Sequence, residues 1–596
     1  MCFSSSSSAK LQTHLRSSSA TMAVRGSRRQ NYRCFGLSLL QYRRLAEIPP
    51  LHAVCEVVLP REIHSRILGH LEALHKDLDE PSCPTCLARD LSSYSKVCME
   101  WHAAAIPQLY GRIYIAGDDS PELKKRIKMR NGCRAWLLRK TLLVRPDFAA
   151  MVRQLKLPEY QDLTAKESKE NNKLVASIVQ LCPHLERLEG HYPEYRVGVK
   201  DNLQTALLSR DFLKEHIWTI QPEGPMQLAQ SESFANAHIR WTKLETLVLQ
   251  GGSGNKAGSM SHLTFAGVFE QLPSLKKLLV ARFHDYEFDD NTLMAIPDQI
   301  EYLRLEELPG VTDAGVSEYV DRASVRRRIR SLSLIELELL STLLISKIFS
   351  RLMHLEKFTL VQTSSPQLPP QSCADRTKPT FASATLQLLH WDVLIPGPAN
   401  ILLARSIHSS AFPALKAIRA PSDHHGIIQV VCKPLEHIVL PFDRVEARLL
   451  RIQQEQREDK YFYPETRYSR SLPQARINAQ DRIEAAREST FMRIVVTEGT
   501  AKKEGLSVDL KAFMGDWRSK VKYELLPDLW GSEFAVLTVA GLLNARVSTE
   551  WRPGDGVDMC NGRWNSRSFA SGRGVKWWGH TERTPGMRDM ELAMLF

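Results

Sequence analysis

Cysteine is scarce in this chain, 11 in 596 residues at irregular spacing, which excludes a scaffold built from disulfides. Long apolar runs are missing too. The greasiest stretch, 332–349, is broken by Glu336, Glu338 and Lys347, so no membrane span is expected. No secretory apolar core stands near the start. Catalytic signatures are absent: there is no HExxH, GxGxxG or GxSxG. GGSGNKAGS at 251–259 lacks the ending of a phosphate loop, because Ala257 follows Lys256, and reads as a loop between elements. Cys83 and Cys86 form one CxxC pair without a second, so a loop is expected there and no metal site. Asp423, His424 and His425 lack a convincing further ligand and read as solvated. No catalytic residue, cofactor or metal is expected, and the chain is read as a non-enzyme.

Acidic residues are missing from positions 1–46, which hold eight Lys or Arg and two serine clusters. A disordered basic tail over 1–49 is expected, with an acid-poor transit peptide as the alternative and Met22 as an alternative start. Lys and Arg total 79 against 67 Asp and Glu, a net charge of +12. That excess permits an acidic partner without demanding one, and nucleic acid is not expected. Apolar residues make up 43% of the chain, enough for most of it to fold. At roughly 150 residues per domain the length suggests about three to four units.

Residues 50–115 read as a small module. Pro60 suits a first helical turn, and Ile63, Ile67, Leu68 and Leu71 recur at helical spacing, with Arg61, Glu62, His64 and Arg66 elsewhere. A second helix is expected with Asp90 as N-cap and Leu91, Tyr94, Val97, Cys98 and Trp101 as one stripe, ended or kinked by Pro107. YGRIYI reads as a strand. Leu59–Pro60, Glu62–Ile63, Ile67–Leu68, Asp90–Leu91, Val97–Cys98 and Trp101 resemble the F-box motif, with Tyr110 near its usual aromatic end. The resemblance implies a three-helix module that docks on the small adaptor of a cullin–RING ubiquitin ligase. On it, Leu59, Pro60, Ile63, Ile67, Leu68, Leu91, Val97, Cys98 and Trp101 would bind the adaptor. The sequence departs from the motif in a longer segment over 72–89, read as an inserted loop.

Over 116–445 an LxxLxL phrase returns. Its first apolar positions are Leu185, Leu244, Leu275, Ile300, Ile329, Leu355, Leu386, Leu415 and Leu435, a period near 28, with FLKEHIWTI at 212–220 filling one wide gap. Each LxL step suits a short strand with its leucines inward, and the rest of each unit returns as a helix or turn. LRLEELPGVTDAGV, Leu303 to Val316, resembles the leucine-rich repeat often found behind F-boxes. There Thr312 or Asp313 would cap a helix and Gly315 fit its packed first turn. The expected class is α/β: the helical module, then a leucine-rich-repeat solenoid with short parallel strands on the concave face. An irregular helix-and-strand domain is the rival.

A charged linker or insertion is expected over 446–490, with FMRIVV at 491–496 as a further core strand. The part 491–596 reads as a terminal repeat and a Trp-rich cap holding Trp551, Trp564, Trp577 and Trp578 among arginines. The target is expected on the groove face, at Lys276, Tyr302, Arg304, Glu306, Ser331 and Ser333, helped by Trp577 and Trp578. The functional expectation is a substrate-recognition subunit of a ubiquitin ligase in cytoplasm or nucleus, bound to the adaptor, through it the cullin, and a protein target. A repeat scaffold outside a ligase is the first alternative, and an enzyme using the Trp-rich end the second.

Overall fold

The computed structural model describes residues 59–75, 84–115, 119, 121–157, 164–196, 201–221, 228–252, 260–369, 380–420, 422–423, 426–433, 495–497, 507–509, 515–516, 518–524 and 592–596. The expectations for 1–49, 446–490, Trp551, Trp564, Trp577, Trp578, Cys83, His424, His425 and Leu435 lie outside these residues.

Three helices open the described chain: α1 (Arg61–His75), α2 (Pro84–Tyr94) and α3 (Met99–Gly111). The single helix expected from Asp90 through Trp101 is broken at Ser95–Cys98, and Asp90 lies inside α2, not at its cap. Much of the segment expected as an inserted loop is helix: α1 runs on to His75, and α2 starts at Pro84, which suits a first turn. Pro107 lies within α3, which continues to Gly111. Three of the four residues expected on the inward stripe of α1, Ile67, Leu68 and Leu71, face the core, but His64 takes the place expected for Ile63. His64 and Leu68 are buried, with Ile67 and Leu71 packed beside them, while Ile63 is 38% exposed. His64 earns its place through its Nδ1, 2.7 Å from the Tyr94 hydroxyl.

The chain then enters a first parallel sheet, β1 (Arg112–Tyr114), β2 (Gln154–Lys156) and β3 (Arg187–Glu189), in that order. Between these strands lie α4 (Pro121–Ile127), α5 (Cys133–Val144), α6 (Pro146–Met151) and α7 (Ala165–Leu181). The YGRIYI strand, assigned from sequence to the module, therefore pairs with the array. The helix α3 spans the boundary. Ala105 belongs to the module's core, Ile106 to the array's, and Tyr110 stacks on Phe148 with ring centroids 4.3 Å apart.

A ten-stranded sheet follows. In chain order come β4 (Glu194–Tyr195), α8 (Asn202–Leu208), β5 (Glu215–Ile220), α9 (Leu228–Ala237), β6 (Thr246–Gly251), α10 (His262–Glu270), β7 (Lys277–Ala281), α11 (Asp290–Met294) and β8 (Tyr302–Glu306). Then come α12 (Asp313–Asp321), α13 (Ala323–Arg328), β9 (Ser331–Ile335), α14 (Thr342–Arg351), β10 (Lys357–Ser364), β11 (Leu388–Ile395), α15 (Pro398–His408) and β12 (Ala417–Arg419). Strands β4 to β12 are neighbours in sequence order, and every pair is parallel. The leucine phrases set this register. Leu247, Leu278, Leu303, Leu332, Phe358, Leu389 and Ile418 align across the sheet and are all buried in one core with the helices. Alternation sends the intervening residues to the other face.

The sheet ends on a strand that no leucine phrase announced, β15 (Lys522–Glu524), parallel to β12. Tyr523 enters the core and its hydroxyl donates to the Ala420 carbonyl at 2.7 Å. FMRIVV does not extend this sheet. Its β13 (Val495–Thr497) pairs antiparallel with β14 (Ser507–Asp509) in a separate two-stranded sheet. Two alternating residues cannot tell a lone hairpin from a core strand.

Turn chemistry locks adjacent units. Thr312 caps α12, accepting from the Gly315 N–H, while the Asp290 carboxylate accepts from the Thr312 N–H at 2.8 Å and its hydroxyl at 2.6 Å. A Cβ on Gly315 would lie 1.9 Å from Asp290 Oδ1, so the glycine answers to a neighbour one unit away. Arg282, Glu307 and Glu336 follow β7, β8 and β9 with φ of 60°, 52° and 51°. Non-glycine residues avoid this region. Each N–H here donates to the next strand's main chain, and Arg282 pairs with Glu307 at 3.1 Å.

Candidate functional site

The face of the sheet opposite the helices is built by every second strand residue. Lys277, Tyr302, Ser331 and Lys357 form one row, and Leu279, Arg304, Ser333, Thr359, His390 and Arg419 the next. Tyr302, Arg304, Glu306, Ser331 and Ser333 thus share the expected face. Lys276 does not. It precedes β7 with the opposite parity and stands exposed at the strand's start, so Lys277 is the lysine on this face.

The expectation of an open groove at these residues is not met. Arg304, Glu306, Ser331 and Ser333 are all buried, and Tyr302 is half-buried. Part of the cover is the chain itself. A single 3-10 turn, Leu592–Leu595, followed by Phe596, lies on this face. Leu592, Leu595 and Phe596 pack with Ile217, Val248, Leu279 and Ala281, flanked by Tyr192 and Tyr302. Arg304 Nη1 donates to the Leu595 carbonyl at 3.0 Å, and the Ser331 hydroxyl donates to the Phe596 main-chain oxygen at 3.2 Å. Lys277 Nζ stands 5.0 Å from the Tyr302 ring centre and 5.7 Å from that of Phe596.

Cations and acids share this face: Lys277, Arg304, Lys357 and Arg419 stand among Glu215, Glu306 and Asp392. Arg304 is partly compensated by Glu306, Nη2 to Oε2 at 3.2 Å, both side chains being almost fully buried. Burial pulls the Arg304 guanidinium down and Glu306 opposes that shift. Lys357 is pushed down to about 8, first by burial and then by the charges of Arg304 and Arg419. His390 falls well below the ordinary imidazole range from burial first and then from Arg419, Lys357 and Arg304. The local excess of positive charge is therefore confined to Lys357 and Arg419, with His390 neutral between them.

The N-terminal module divides the residues expected to bind an adaptor. Leu68 and Leu91 are interior. Trp101 is half-buried and faces inward, its ring 4.2 Å from that of Tyr94 and 5.7 Å from that of His64. Leu59, Ile67 and Cys98 are half-buried, while Pro60, Ile63 and Val97 are exposed. Met99, which the motif reading passed over, is the most exposed large apolar residue here at 77%. Its position just after VC, in the two variable places before Trp101, carries no sequence signal.

Asp423, expected to be solvated, has a structural role instead. Its carboxylate accepts main-chain N–H bonds from Ile427, Ile428 and Gln429, each at 2.9 Å. Among the described residues no three of His, Cys, Asp and Glu gather as metal ligands. No described helix is long and apolar enough to cross a membrane.

No protein-family model matches the chain, and no curated protein matches it. Among solved structures, the chain is similar to one in the crystal structure of the Rad7 and Elc1 complex in yeast, at 13% identity and a TM-score of 0.36. The match covers 65% of this chain and 94% of the yeast chain, and a likeness of that size bears on neither fold nor function.

Proposed function

We propose that this chain is a non-catalytic substrate-recognition subunit of an SCF-type cullin–RING ubiquitin ligase, built from an F-box-like module and leucine-rich repeats. The observation that carries the reading is the order of parts: a three-helix module with exposed Pro60, Ile63, Val97 and Met99, then strand-and-helix units stacked in register. An exposed apolar patch is a common mark of a protein–protein contact, and these residues are read as part of one. On this reading the module grips the adaptor, the sheet face takes the target, and α3 joins them by sharing both cores. The enzyme complex then acts through proximity, raising the local concentration of a target lysine near charged ubiquitin. The place of work is cytoplasm or nucleus.

The test is capture of the cullin-ligase adaptor by the purified chain, with Val97→Asp and Met99→Asp as surface variants. The wild type should bring the adaptor down, and the variants should lose it while melting at the wild-type temperature. A wild type that brings down no adaptor under mild conditions sinks the reading and favours a scaffold outside any ligase.

A further inference from the structure

We infer that Leu592–Phe596 occupies, in cis, a docking site for short apolar peptide segments bearing a negative charge beside their last apolar residue. The inference rests on the reading of the sheet face as the target side and names the chemistry of what binds there.

The floor is apolar and preformed. Ile217, Val248, Leu279 and Ala281 come from three adjacent strands, β5, β6 and β7, whose register is set from the opposite, core-facing side. On this floor lie the two leucines and the phenylalanine of one turn. Three apolar side chains offered by a single turn are what a short linear segment can present. The next strands supply polar reading groups: Arg304 from β8 takes the Leu595 carbonyl, and Ser331 from β9 takes the Phe596 oxygen. These bonds address main-chain atoms, so they accept any sequence that brings the right apolar side chains. Lys277, in the same row as Ser331, stands with its Nζ 5.7 Å from the Phe596 ring centre, so an acidic group beside that residue would be stabilised.

The contrast with the core explains why the turn is replaceable. The core-facing leucines Leu247, Leu249, Leu278, Leu303 and Leu305 of β6, β7 and β8 are buried by their own sheet and helices. Among the described residues the 592–596 segment forms a separate small cluster, set on one apolar patch, with hydrogen bonds from Arg304 and Ser331 and the Lys277 cation over the Phe596 ring. A tethered occupant of this kind has a high effective concentration, so a free ligand must outcompete it.

The experiment uses the full chain and a chain ending at residue 591, with a fluorescein-labelled peptide of residues 587–596. The shortened chain should bind the peptide saturably, and the full chain about ten-fold or more weakly. A peptide with Leu595→Asp should not bind, and one extended by two aspartates should bind more tightly than one extended by two lysines. Equal binding by both chains overturns the inference, as does no binding by a shortened chain of unchanged circular dichroism. A shortened chain that loses its sheet signal or dimerises also overturns it, because the turn is then a structural cap or covers a self-association face. Adaptor capture is read on the same samples. Its loss alone counts against the ligase reading, whereas peptide failure with capture intact counts against this inference only.

Discussion

The indole N–H of Trp218 donates to Nε2 of His238 at 2.9 Å, deep in the core. Nδ1 of the same ring lies 2.8 Å from the Phe234 carbonyl and therefore carries the proton. His238 is thus a neutral tautomer with both nitrogens engaged. Burial pushes it down to about 4. His216, with its ring centre 4.4 Å from that of Trp218, is pushed down to about 3 by burial first and then by His238.

Acid should therefore destabilise the array before carboxylates dominate. An unfolded histidine titrates near ~6.5, above both folded values. Between those limits the unfolded chain binds more protons, so stability from these sites is complete above about pH 6.5 and is lost as pH falls toward 4 and then 3. Urea midpoints followed by tryptophan fluorescence should fall from about pH 7 to about pH 5. His238→Gln should flatten that slope. A wild-type midpoint that stays constant over this range would mean the two rings do not stay neutral in the fold.

Arg304 and Glu306 should behave as a buried pair. Removing Glu306 alone leaves a desolvated guanidinium and should cost about 3–5 kcal/mol, read as a lower urea midpoint. The double change Arg304→Met with Glu306→Leu should cost much less. Arg304→Glu, attractive as a surface reversal if the residue were exposed, would bury two carboxylates together and should unfold the array. Similar losses for Glu306→Ala and the double variant would show that the ionic pairing is not what the site requires.

Gly315→Ala should destabilise by about 1–3 kcal/mol, because the new methyl meets Asp290. The added Cβ would lie 2.7 Å from Asp290 Cβ as well, so Asp290→Ala relieves only part of the crowding while Asp290→Gly relieves all three contacts. Thermal melts of Gly315→Ala, Asp290→Gly and the double variant should be non-additive, as for groups in contact. Strict additivity would place the two residues out of contact.

Trp101 and Val97 should separate folding from binding in the module. Trp101→Ala removes a ring packed on Tyr94 and should lower module stability by about 3 kcal/mol. Val97→Asp changes a side chain 53% exposed and should leave the melt unchanged while abolishing adaptor capture. If Val97→Asp melts early and still captures adaptor, the exposed apolar residues of the module do not form the docking surface.

Local periodicity decided a large part of this architecture. LxL steps at a spacing near 28 require strands with one greasy face, and units too small to bury that face alone must stack. The parallel strands β5 to β12, the weak segment at 212–220 and the Thr312 cap all follow from patterns a few residues long, whereas the crowding at Gly315 comes from Asp290 in the neighbouring unit. Alternation with a period of two also placed Tyr302, Arg304, Glu306, Ser331 and Ser333 on the sheet's second face, but Lys276, expected with them, is out of register.

Only tertiary structure decided what that face meets. Leu592 and Leu595 lie nearly 300 residues from Arg304, and no local pattern records that their turn fits between Ile217 and Tyr302. For the same reason β15 joins β12 without a leucine phrase, with Tyr523 and the adjoining Val521 in the core. His64 turns inward because Tyr94 meets its nitrogen, a pairing that hydrophobic spacing cannot see. Periodicity reports which side of an element is apolar. Burial of a charge, the partner of a buried nitrogen and the occupant of a surface depend on atoms that only folding brings together.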